Sequence, residues 1–95
     1  MIGRRIYPPA PSEEISDPLP YDIQGGDYWY DPVSNHWMFA CPVDGFPIAN
    51  LAAHQVVEHE DGAITVSPSI LTCGHHNGQR ISWHGYLEHG TWREV

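Results

Sequence analysis

The residues of this 95-residue chain whose types could do chemistry are its two cysteines and seven histidines. Cys41 opens the run CPVDG, a tight-turn sequence of the kind that presents a thiolate. Cys73 opens CGHH, so His75 and His76 follow it by two and three positions. Zinc favours thiolate and imidazole ligands in a tetrahedron. The expected set is Cys41, His54, Cys73 and His84 around a structural Zn2+. Cys73 and His76 can chelate locally, His75 is a further candidate, and Asp44 is an oxygen alternative in the CPVDG turn. The competing reading is two apolar, buried cysteines and histidines on the surface, because the chain has no paired Cys-x-x-Cys.

A second set could move protons. Asp44, His54, His59, Asp61 and His84 supply bases and orienting acids, and a metal held by three protein ligands would activate water. The chain has no nucleophile elbow, no phosphate loop and no H-E-x-x-H. His59 and Asp61 flank a hairpin signal, where side chains are solvated. A zinc-dependent hydrolase is therefore the least favoured of the functional readings, and no residue is assigned a catalytic role.

These residues need elements to hold them. Residues 1–26 read as an extended arm, since Pro8, Pro9, Pro11, Pro18 and Pro20 deny helix and deny a central strand. Ile6, Tyr7, Ile15, Leu19, Tyr21 and Ile23 are apolar pegs along it. Gly25-Gly26 is the expected hinge, and residues 27–95 form the domain. DYWYD, residues 27–31, has the aromatic density of a strand. A turn over 32–35 returns the chain through 36–41, and Val43-Asp44-Gly45 makes the next turn. A short strand is expected between Phe46 and Leu51.

Residues 51–60 suit a short helix at their start and a strand at their end. Glu60-Asp61-Gly62 is a hairpin signal, which pairs Val56 and Val57 with Ile64 and Val66. Pro68 is expected to end that strand, with Ser67-Pro68-Ser69 as a bend and residues 72–78 as a loop. Residues 80–87 alternate as a strand, Glu88-His89-Gly90 turns, and residues 91–95 close the fold with Trp92 inward. The fold class is all-β: a small antiparallel sheet or sandwich of hairpins, zinc-stapled if the ligand set forms.

Composition bounds the partners. Twelve acids against four arginines and no lysine give a net charge of −8. A nucleic-acid binder needs a basic stripe to displace counterions from phosphates, so nucleic acid and anionic membrane are not expected partners. A small-molecule substrate is not expected either. A basic protein surface, or solubility alone, fits the charge. No apolar run follows Arg4-Arg5, so no signal peptide is expected. The expected location is a virion or a host cytoplasm, where cysteines stay as thiols or bind metal. Four tryptophans, five tyrosines and two phenylalanines are many for 95 residues: some must build the small core, and any that are exposed, on one face of the aromatic strand, are expected to mark a partner surface.

The order Trp37-x-Phe39-x-Cys41-Pro42, then Gly45, then Ile64-Thr65-Val66-Ser67-Pro68-Ser69-Ile70, then Trp83-His84-Gly85-Tyr86-Leu87, then Gly90 and Trp92 resembles a family of small uncharacterised bacterial and phage proteins. That family carries a domain of unknown function. The resemblance spans residues 37–92 and leaves out the arm. It implies a compact β domain with a metal site, and it carries over Cys41 and His84 as ligands. Ile81 stands where the family has a cysteine, and Val43-Asp44 stands where a second cysteine would follow Cys-Pro. Either Cys73 with His54 or Asp44 restores the set, or only the fold is shared.

The leading functional expectation is a non-enzymatic, phage-type binding or structural protein, an accessory component of a virus particle or assembly. It would dock through its arm and an aromatic β face, by protein partnership or self-association. Deleting residues 1–24 would then remove binding and leave the fold. The alternative is a small acidic cytosolic protein that binds and inhibits a host protein.

Overall fold

The computed structural model describes residues 1–7, 23–43 and 47–95, with the backbone alone at Cys73 and His76. The all-β expectation is borne out: the described residues hold strands and turns and no helix. None of them therefore forms a helix long and apolar enough to cross a membrane. The strands are β1 (Arg4–Arg5), β2 (Asp27–Asp31), β3 (His36–Ala40), β4 (Ile48–Asn50), β5 (Gln55–Glu58), β6 (Ile64–His76), β7 (Gln79–Glu88) and β8 (Thr91–Glu94). They form two four-stranded sheets, β1-β2-β3-β4 and β5-β6-β7-β8. All neighbours are antiparallel except β1 and β2, which run parallel.

The sheets share one core. Tyr28 and Phe39 from the first meet Ile64, Val66, Ile70, Trp83, Leu87 and Trp92 from the second, with Cys41 and Leu51 among them. Trp92 lies at its centre, tilted against Phe39 at 5.6 Å and edge-on to Trp83 at 5.4 Å. Trp83 in turn lies over Gly85: a β-carbon built there would stand 2.4 Å from the indole. Only glycine lets that ring lie flat along its own strand.

Residues 1–7, expected as the start of a separate arm, are extended but belong to the fold. The Met1 nitrogen donates to the Trp92 carbonyl at 3.1 Å, and Trp92 N–H returns to the Met1 carbonyl at 2.8 Å. Gly3 N–H reaches the Gly90 carbonyl at 2.7 Å, while Ile6 N–H reaches the Tyr28 carbonyl at 3.0 Å. The segment thus binds both sheets and closes a seam between them. Arg4 forms a two-pronged pair with the buried Asp27, at 3.1 and 2.7 Å. The rest of the expected arm, residues 8–22, lies outside the described residues, as do Asp44 and Gly45 of the second turn.

The hairpins follow local chemistry. Asp31 closes the first turn by accepting from Val33 N–H and Ser34 Oγ–H, and Asn35 takes a φ of 59°. Val56 pairs with Val66 as expected, whereas Val57 pairs with Thr65 and Ile64 with Glu58. Two expectations fail in β6. Pro68 does not end the strand: β6 runs through it, and the pairing with β7 shifts between Val66 and Ile70. Proline is tolerated there because a bulge and a strand edge do not require its missing N–H. Residues 72–76 are not a loop either. They pair in register with residues 79–83 across a two-residue turn, with Asn77 at φ 52° and Gly78 at φ 77°. Those angles define the tight hairpin turn that Asn-Gly favours.

Candidate functional site

Cys41 leaves β3 into the core. It is fully buried, its thiol is free, and its N–H donates to the Pro47 carbonyl at 3.0 Å. Burial, with Glu94 nearby, pushes the thiol up to about 11. Ionising a thiol so held would place charge among apolar side chains, so without a bound cation it packs as an apolar group. Cys73 sits on β6 opposite Ser82, two pairs beyond Leu71 and His84.

His54 and His84 do come together, around Ser69. His54 Nε2–H donates to the Ser69 carbonyl at 3.2 Å, and His84 Nε2 pairs with the Ser69 hydroxyl at 3.0 Å. A carbonyl only accepts, so His54 carries its proton on Nε2, and its buried Nδ1 has no partner. Ser69 lies within the register shift between Val66 and Ile70. Among the described residues, no three His, Cys, Asp or Glu side chains converge as a metal site would require. The residues seen do not gather as a zinc centre.

A second polar cluster forms where the β5–β6 and β7–β8 turns lie side by side. The rings of His59 and His89 stack at 4.1 Å and 6°. His59 Nε2 pairs with Thr65 Oγ1 at 2.7 Å, and the His89 backbone N–H donates to the same oxygen at 2.9 Å. His89 Nε2–H donates to Asp61 Oδ2 at 2.9 Å. That bond, with one from Ala63 N–H, holds the exposed Asp61 carboxyl below its ordinary value. The sequence reading named His59 and Asp61 but missed Thr65 and His89. The acid orients His89, whereas the hydroxyl contacts His59. The groups therefore do not line up as nucleophile, base and orienting acid. Beside them lies an open groove of about 460 Å³ lined by Thr65, Ser67, Pro68, Tyr86, Glu88 and His89. Arg93 covers the Tyr86 ring at 4.7 Å and binds Glu88 at 2.7 Å.

The exposed aromatics lie elsewhere. Tyr28, Trp29, Phe39, Trp83 and Trp92 are buried. Tyr7 is 72% exposed and Tyr30 is 37% exposed. The Arg5 guanidinium stacks on Tyr7 at 4.6 Å and on the half-buried Trp37 at 4.7 Å. Tyr30 meets Trp37 edge-on at 5.4 Å. Arg5 is fixed further by Glu58 at 2.7 Å and the Gly62 carbonyl at 2.8 Å. The result is a contiguous strip, Tyr7-Arg5-Trp37-Tyr30, where the chain enters its proline-rich segment.

No family model, no curated protein and no solved structure matches this chain.

Proposed function

We propose that this chain is a non-enzymatic binding and structural protein of the phage-encoded type, an accessory component of a virus particle or similar assembly. It docks through the Tyr7-Arg5-Trp37-Tyr30 strip and the proline-rich segment that follows it. The observation behind this reading is Arg5 stacked on both Tyr7 and Trp37 with Tyr30 beside them. Tyrosine, tryptophan and arginine dominate the energetics of protein interfaces, because they bring large contact area to a surface. Here Arg5 and Trp37 already contact their neighbours, which lowers the ordering cost of docking. The location that follows is a virion or a host cytoplasm.

The test compares the tagged wild-type chain with a Tyr7→Ala, Tyr30→Ala double variant in its cell of origin. The wild type should sediment with a particle-sized fraction and the variant with small proteins, at equal thermal stability. Wild-type protein confined to the small-protein fraction would sink the proposal.

A second reading is favoured by charge. Three of the four arginines are already bound to Asp27, Glu58 and Glu88, and the net charge is −8. Such a surface suits an acidic protein that blocks a basic host protein. Its on-rate would fall as salt rises, whereas docking through the aromatic strip would not. The bare Nδ1 of His54 keeps structural zinc on Cys41, His54, Cys73 and His84 as a separate proposal. Metal content of protein purified without chelator tests it, and a value near zero rejects it.

A further inference from the structure

Among the described residues, the far half of the β6–β7 hairpin is a ribbon with one unpaired side. β5 pairs with β6 only over Ile64 to Ser67. The ladder on that side ends at His54, whose Nε2–H caps the Ser69 carbonyl. Beyond Ser69, β6 has β7 on one side and no described strand on the other.

Hairpin geometry says which backbone groups are left over. A two-residue turn is closed by a hydrogen-bonded pair, here His76 with Gln79. Alternation then directs the N–H and C=O of Ile70, Thr72 and Gly74 to β7. Those of Leu71, Cys73 and His75 point to the open side, on the same edge as the capped Ser69 carbonyl.

This edge lacks the usual protection. Natural edge strands discourage pairing with charges, proline or bulges. The run from Gly62 to Gln79 contains no Asp, Glu, Lys or Arg, in a chain of net charge −8. Pro68 and its bulge guard only the near end. Leu71 is 73% exposed on the strand, so an apolar side chain stands beside the open backbone groups. The inner face of the ribbon is supported by Trp83, which is buried in the core, and by the contact of Gly74 with Pro47.

We infer that the Leu71–His75 edge is a homotypic pairing site that takes the same edge of a second copy, antiparallel about a two-fold axis at Cys73. Leu71 of each copy pairs with His75 of the other and Cys73 pairs with itself. This arrangement satisfies about six backbone hydrogen bonds. A second copy is the occupant that the charge pattern selects. A basic partner would be drawn to the carboxylates, whereas two chains of charge −8 can approach only along a charge-free run. The pairing is isologous and closes at two. Its small area makes it weak.

Sedimentation equilibrium from about 10 μM to about 1 mM tests it. The weight-average mass should rise from 10.7 kDa towards twice that value. Association should tighten as salt is added, because salt screens the repulsion between two acidic bodies. Hydrogen exchange should slow with concentration at the Leu71, Cys73 and His75 amides. Leu71→Lys places a charge on the edge, and His75→Pro removes an outward N–H without touching the β7 ladder. Each should weaken association at least about tenfold, a difference of about 1.4 kcal/mol. A chain that stays at 10.7 kDa throughout, or a dimer indifferent to both substitutions, overturns the inference. Tyr7 and Tyr30 play no part in this edge, so the two sets of substitutions separate it from docking through the aromatic strip.

Discussion

The Trp92 indole N–H donates to the Gly26 carbonyl at 2.8 Å, a buried bond joining the last strand of one sheet to the residue before β2 of the other. The same ring packs on Phe39 and Trp83, so one side chain ties the sheets by shape and by polarity. Trp92→Phe keeps most of the packing and leaves the buried Gly26 oxygen with only the longer bond from Arg4 N–H at 3.4 Å. The expected loss is about 1–3 kcal/mol in urea unfolding. Trp92→Ala, which also opens a cavity, should cost about 3–5 kcal/mol or prevent folding.

The seam formed by residues 1–7 changes what a truncation should do. Removing residues 1–7 breaks the bonds to Trp92, Gly90 and Tyr28 and exposes the edge of β2. The truncated chain is expected to melt at least several degrees lower, or to remain unfolded by near-ultraviolet circular dichroism. A shorter deletion inside residues 8–22, with residues 1–7 kept and the gap bridged by a Gly-Ser linker, is the fair test of docking through that segment.

Arg4 and Asp27 show which partner of a pair matters. Asp27 is 2% exposed, whereas the Arg4 side chain is half exposed. Arg4→Ala strips the buried carboxylate of its cation while the Gln24 N–H still donates to it at 2.8 Å. That should destabilise by about 3 kcal/mol, the lower end for breaking a buried pair. Arg4→Ala with Asp27→Asn should recover part of the loss, because no buried charge is then left behind.

Cys41 predicts an alkaline loss of stability. Its folded value of about 11 lies above the free value of 9.0. Between the two, the unfolded chain gives up a proton that the folded chain keeps. Stability is therefore full below pH 9 and falls as pH rises towards 11, by up to about 1.4 kcal/mol per pH unit. Cys41→Val removes this dependence, so the difference between the two proteins in denaturant unfolding should shrink over that range. Iodoacetamide should modify the native Cys41 thiol far more slowly than a free thiol at pH 8.

Much of the architecture was legible in the sequence. DYWYD against HWMFA, the Asp61-Gly62 hairpin, the His89-Gly90 turn and the inward Trp92 all follow from alternation and turn chemistry, which act over a few residues. The β6–β7 ribbon could have been read as well. Asn77-Gly78 is the strongest short hairpin signal, but CGHH beside it has no alternating apolar pattern and reads as a loop.

The site was less legible, because side-chain partnerships depend on which strands become neighbours. Residue types alone suggested that Cys41, His54, Cys73 and His84 could hold a metal. The packing of two sheets placed Cys41 in the apolar core and turned His54 and His84 to Ser69. Nothing local to Thr65 or His89 announces their contact with His59 and Asp61, since it arises where two turns meet across the sheet. The amino-acid order alone determined the hairpins from β2 to β3 and from β5 to β6, the last turn, the acidic charge and the charge-free run, but not β1 or the far half of β6. The tertiary structure decided that residues 1–7 seam the sheets, that Arg5 stacks between aromatic rings, and that β6 keeps an open edge. Those outcomes depend on long-range pairing, which sequence periodicity does not encode.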